Sequence, residues 1–226
     1  MTSIEPLRQD IENPNRLKRH SAGLRFWHWS NTLIITGSLL TVLLNSTLFD
    51  TRSNGEFILS ELQHAGAAVS AKQAGSVAHG LEDKVWDVHI YFGYFLAGLL
   101  LFRILLEIFQ RRDQKFFKGL KQAYHYYFFT TKEKHLARHE LAVKSLYLVF
   151  YLVISILTIT GLSLVFKNEL GIPRPISHWI KEVHGFSMYL ILGFIVLHLA
   201  GVLLAERKDS KGIVSDMING GSNEAA

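Results

Sequence analysis

V-H-G-F-S-M-Y-L-I-L-G-F-I-V-L-H-L-A-G-V-L-L-A, residues 183–205, contains no Asp, Glu, Lys or Arg. A helix needs about 20 mainly apolar residues to cross roughly 30 Å of hydrocarbon, so this stretch reads as a membrane span. Two histidines interrupt it, His184 and His198. An ionisable side chain in a membrane is costly and by default marks function. The two are 14 positions apart. At about 100° per residue they fall about 40° short of four full turns, and at about 1.5 Å per residue they lie roughly 21 Å apart along the axis. They face nearly the same way at different depths, so one metal cannot use both, while two groups at two heights can use one each.

Three further stretches are long and mainly apolar, residues 27–48, 89–109 (interrupted by Arg103) and 145–166. The expected fold is all-α, an integral membrane four-helix bundle forming one domain over residues 1–226. All four prolines (Pro6, Pro14, Pro173, Pro175) lie outside the spans, leaving each helix unbroken. A soluble bundle is the competing reading, and the nearly uninterrupted third span argues against it. Lys and Arg are unevenly placed. The N-terminal arm holds 5, the loop between spans two and three 9, and the C-terminal tail 3, against 6 in the other two loops. Positive residues concentrate on the cytoplasmic side, which puts both termini, arm 1–25 and tail 206–226, in the cytoplasm. The net charge of +5 is explained by those loops, with no need for a nucleic-acid partner. The first 25 residues show no apolar core with a small-residue cleavage site, so no secretory signal peptide is expected. With no cysteine, disulfides, cysteine-held iron–sulfur clusters and covalently attached c-type haem are excluded.

Of 11 histidines, four sit within or at the rim of a span: His28, His89, His184 and His198. Topology pairs them by height. His89 and His184 both lie at the outer ends of their helices; His28 and His198 both lie toward the inner ends. Each pair offers two imidazoles from different helices, the arrangement that closes both axial positions of a haem iron and favours electron transfer over chemistry at the metal. The expectation is two haem b, held by His89 with His184 and by His28 with His198. A helix–helix hydrogen-bonding role is the plainer reading for a single membrane histidine. Zinc is disfavoured because each level supplies two nitrogens and no evident third ligand. The other histidines (His20, His64, His79, His125, His135, His139, His178) fall in loops, where solvation suffices.

Around the histidines, Gly37, Gly93, Gly161, Gly185 and Gly193 allow either a flat macrocycle or a neighbouring helix to come close. Arg103, 14 residues after His89, needs an anion if buried. A haem propionate meets that need bidentately, and snorkelling to the interface is the alternative. Arg25, one turn before His28, is a second cofactor-binding candidate. The loop 110–143 carries Tyr124, His125, Tyr126, Tyr127, Phe128 and Phe129. It reads either as an interfacial aromatic belt or as one wall of a quinone pocket with His139 or Glu140 handling protons.

These segments resemble the bacterial cytochrome b561 and nickel–iron hydrogenase cytochrome b family. The resemblance rests on R-F-W-H-W-S (25–30) with I-T-G (35–37), H-I-Y-F-G-Y (89–94) with Arg103 downstream, T-G-L (160–162), and H-x13-H (184–198) followed by E-R-K-D-S-K-G-I-V-S-D-M-I-N-G-G (206–221). It spans roughly residues 23–221, and its paired histidines are the specific part. It implies His28, His89, His184 and His198 as haem ligands, a quinone site on the cytoplasmic side and a periplasmic docking face. The implied role is an electron-transfer subunit of the bacterial inner membrane, multi-pass, linking a periplasmic, hydrogenase-like redox enzyme to the quinone pool. Two alternatives stay open: a stand-alone quinone oxidoreductase of the b561 type using a small diffusible reductant, and a haem-free transporter or assembly subunit. The long loop 49–88, with A-G-A-A-V-S-A-K-Q-A-G at 65–75, matches no partner signature.

Overall fold

A computed structural model describes residues 8–9, 17–18, 21–109, 115–129, 134–208 and 213–220. Among the described residues there are seven helices: α1 Ala22–Thr47, α2 Thr51–His64, α3 Ala71–Phe109, α4 Phe116–Phe129, α5 Lys134–Val165, α6 Arg174–Lys208 and α7 Ile213–Asn219. Among the described residues of the N-terminal arm, Arg8–Gln9 pairs antiparallel with Leu17–Lys18. The chain is therefore helical, as its apolar periods require.

Three helices, α3, α5 and α6, are long and apolar enough to cross a membrane, and α1 with α2 forms a fourth candidate bent by 56°. Their outward faces carry large apolar side chains: Leu33, Phe95, Ile159 and Val196 are 63–70% exposed. Hydrocarbon tails, which need no hydrogen bonds, suit such faces.

The spans expected over 89–109 and 183–205 sit inside longer helices, and those over 27–48 and 145–166 run one residue past the ends of α1 and α5. At about 1.5 Å per residue the 39 residues of α3 extend about 58 Å, nearly twice the hydrocarbon thickness. Its first part, residues 71–88, packs against α2 as a helical hairpin, so the stretch 49–88 is structured rather than a loop. Small residues make that packing close. Ala74 and Ala78 are 1% exposed, and a Cβ on Gly55 would lie 3.5 Å from the Gly75 Cα. The A-G-A-A-V-S-A-K-Q-A-G stretch is thus a helix end, a turn and a packing face. Gly66 supplies the turn with φ +80°, while Gly66 N–H donates to Gln63 O and Ala67 N–H to Leu62 O, closing α2 in a Schellman cap.

Caps at the α1–α2 bend are side chains. Asp50 accepts from Ser53 N at 3.0 Å, and that contact holds its carboxyl below the usual carboxylate range. The Thr51 hydroxyl donates to the Glu82 carboxylate, tying α2 to α3. Pro175 lies inside α6, in its first turn, where the missing N–H has no helical acceptor to lose.

α1 packs on α3, α3 on α5, and α5 on α6, with α4 lying on α5 and α7 on α6. Between α6 and the α1–α3 pair there is no comparable close backbone packing. Side chains span that seam. Trp27, Phe150, Val153, Ile154 and Ile191 form the core beside it, with Phe150 and Phe194 stacked at 4.5 Å.

Candidate haem sites

The four span histidines converge on that seam in the expected pairs. His89 of α3 faces His184 of α6 with ring centroids 6.3 Å apart, and His28 of α1 faces His198 of α6 at 6.1 Å. A metal–imidazole bond of about 2.0 Å, counted for two opposed ligands, plus about 1.1 Å from each nitrogen to its ring centre, gives centroids about 6.2 Å apart. Both pairs have the spacing that one iron between two imidazoles requires. All four rings are half-buried, whereas His64, His79, His125 and His178 are exposed. Among the described residues no three metal-ligating side chains converge, so the arrangement is one of twos.

The His89–His184 level adjoins the α2–α3 hairpin. Here the Nδ1 of His89 lies 2.9 Å from Thr41 Oγ1 and 3.3 Å from Ser38 Oγ, and the Nδ1 of His184 lies 2.9 Å from Thr160 Oγ1. With Nδ1 occupied, Nε2 is the nitrogen left to meet a metal. Gly161 is small by necessity, because a Cβ there would sit 3.1 Å from His184 Cε1. Trp86, one turn before His89, rests edge-on to it at 5.4 Å and donates from Nε1 to Glu82 Oε1. Gly37 admits the Phe92 ring, which a Cβ would meet at 2.5 Å, so this glycine serves α1–α3 packing. At Gly93, Gly185 and Gly193 a Cβ would touch nothing within 4 Å, leaving room beside the backbone for a flat group.

The His28–His198 level adjoins the tail. Its surroundings are aromatic: Trp29 stands edge-on to His28 at 5.1 Å, and Phe194 stacks on His198 at 5.6 Å with 10° between planes. The tail closes over it. Arg25 donates to Ile218 O at 2.6 Å and Trp29 Nε1 to Met217 O at 3.1 Å, so the R-F-W-H-W motif holds the last carbonyls of α7. Gly220, with φ +100°, ends α7 beside the Arg25 guanidinium, donating back to Asp216 O at 2.8 Å.

Arg103 is held by its neighbours. It is 8% exposed, and its anion comes from its own helix, since Nη1 lies 3.3 Å from Glu107 Oε2. Nε donates to Tyr151 Oη at 2.9 Å, and the guanidinium lies against the Trp27 and Tyr151 rings. Glu107 also accepts from Phe116 N and Phe117 N, so one carboxylate anchors Arg103 and starts α4. Arg25 differs: its Nε is buried and, among the described residues, has no hydrogen-bond partner. The quinone candidates His139 and Glu140 lie on the α5 backbone, with side chains outside the described residues. Sequence reasoning missed Ser38, Thr41 and Glu107 as partners. The one available signal was a pair of hydroxyls three residues apart within an apolar helix.

A family model described as prokaryotic cytochrome b561 matches residues 19–220. The chain belongs to the prokaryotic cytochrome b561 family. It is thus a multi-pass membrane cytochrome b that works in electron transfer, and its cofactor is a b-type haem. This cytochrome is similar to a protein of Rhodobacter capsulatus described as a probable Ni/Fe-hydrogenase B-type cytochrome subunit. The two are 24% identical over 238 residues, covering 94% of this chain and 85% of the relative. No solved structure matches the cytochrome.

Proposed function

We propose that the chain binds two haem b, one between His89 and His184 and one between His28 and His198. It then serves as an electron conduit between a hydrogenase-like redox enzyme and the quinone pool. The observation that carries this reading is the near-equal spacing of the two ring pairs, 6.3 and 6.1 Å. When bound, haem supplies one-electron chemistry at its iron. The chain's own residues do the rest. Each histidine pair would hold one haem iron through two imidazole nitrogens, which would leave no open position there for oxygen or substrate. Arg25 offers its buried Nε to a propionate, since its other contact is to a carbonyl. Trp27, Phe150 and Phe194 line the seam with aromatic surface.

The positive-inside pattern supports a cytoplasmic tail end and a periplasmic α2–α3 hairpin in the bacterial inner membrane. The name of the Rhodobacter relative supports a redox-enzyme partner. His139 and Glu140 remain the proton-handling candidates for a quinone on the tail side. The test is a reduced-minus-oxidised spectrum of the chain purified from native membranes, with haem counted per chain. Two b-type components are expected, and a large metalloenzyme in the same fraction. A colourless chain, or one haem in total, overturns the reading; an active chain purified alone points to a small diffusible reductant instead.

A further inference from the structure

The two histidine levels differ in what holds the nitrogen away from the metal. In the hairpin-end pair that nitrogen meets a threonine hydroxyl on each ring, and the direction of the hydrogen bond can be worked out. Thr41 Oγ1 has one proton, and it is directed to Ser38 O at 2.6 Å. With its proton on that carbonyl, its oxygen accepts from the Nδ1–H that His89 carries when Nε2 meets a metal, 2.9 Å away. Thr160 repeats the arrangement. Its proton goes to Ile156 O at 2.6 Å, so its oxygen accepts from His184 Nδ1 at 2.9 Å. On the reading of both rings as ligands through Nε2, each threonine oxygen holds the tautomer with Nδ1–H. The hydroxyls come from helices other than those bearing the rings: α1 holds the α3 histidine and α5 holds the α6 histidine. At the tail-end pair, His198 has Phe194 stacked on it and, among the described residues, no hydroxyl bonded to its ring.

An imidazole whose Nδ1–H is donated to an acceptor becomes a more basic ligand through Nε2. A more basic axial ligand stabilises ferric over ferrous iron, and hydrogen bonding of this kind is one of the protein's levers on haem potential. We infer that Thr41 and Thr160 are positioning residues that fix the tautomer of both axial ligands at the hairpin end and lower the reduction potential of that site. The inference rests on the reading of His89 and His184 as axial ligands.

The experiment is a spectroscopic redox titration of the full chain in native membranes, for wild type, Thr160→Val, Thr160→Ser, Thr41→Val and His184→Ala. Valine keeps the shape and removes the threonine hydroxyl; in Thr41→Val the longer contact to Ser38 Oγ at 3.3 Å stays, so the shift there should be the smaller of the two. Both haems should remain in the two valine variants, with one midpoint shifted upward and the other unchanged, and Thr160→Ser should restore the wild-type value. Loss of one haem in Thr160→Val with its retention in Thr160→Ser also supports the hydroxyl's role. Unmoved midpoints with both haems present, equal shifts of both midpoints, or serine behaving like valine overturn it. His184→Ala separates the two levels of argument, because retention of both haems there sinks the ligand assignment itself, whatever the threonines do.

Discussion

The hairpin end and the tail end of this cytochrome solve one problem with different materials. Each brings two imidazoles to about 6 Å across the seam between α6 and its neighbours. At the hairpin end the rings are oriented by hydroxyls, Thr41 and Ser38 on one side and Thr160 on the other. At the tail end they are flanked by Trp29 and Phe194 and roofed by α7, which Arg25 and Trp29 hold in place. Hydrogen bonds select a tautomer and tune a ligand, whereas aromatic faces fix a ring plane and keep water out. The difference shows that equal ring spacing does not make equal surroundings.

The largest effect should come from removing one ligand at a time. His198→Ala should abolish the haem at the tail end alone, and His184→Ala the one at the hairpin end alone, each halving the haem recovered per chain. Equal damage to both levels from either change would break the comparison. Next is Glu107→Ala, which leaves Arg103 buried without its anion beside Trp27 and Tyr151. A broken buried pair of this kind costs about 3 kcal/mol, read as a lower midpoint of thermal unfolding in detergent. Both haem spectra should persist at low temperature, because the pair supports the helices rather than either iron.

Gly161→Val sharpens the contrast further. Its Cβ would begin 3.1 Å from His184 Cε1, so the ring must shift. The overpacking should destabilise by about 1–3 kcal/mol and perturb the spectrum of the hairpin-end haem only; an unchanged spectrum would show that the ring has slack. The smallest effect is expected from Arg25→Ala. Losing the bond to Ile218 O should loosen α7 and raise the rate of tryptic cleavage after Lys208, with changes confined to the tail-end signal.

Much of this was legible in the chain itself. Span residues 89–109 lie within α3 and 183–205 within α6, and the histidine pairs follow from heights counted along those helices. The stretch 49–88 was not legible, because Ala and Gly packing carries little hydrophobic contrast and the apolar signal there is weak. Arg103 was expected to need an anion if buried, and Glu107, four residues on along the same helix, supplies one at 3.3 Å, a partner whose i, i+4 spacing was legible in the chain.

The sequence alone determined that the chain is helical, that its long apolar runs suit a membrane, and which histidines share a height. Those follow from period and rise, which are local properties of a helix. Only the tertiary structure decided which hydroxyl meets which ring, which arginine keeps an unpartnered nitrogen, and where the tail is fastened. Those contacts join residues 48, 24 and 193 positions apart, as in Thr41 to His89, Thr160 to His184 and Arg25 to Ile218. Hydrogen bonds select partners by distance and angle in space, and no spacing along the chain encodes them.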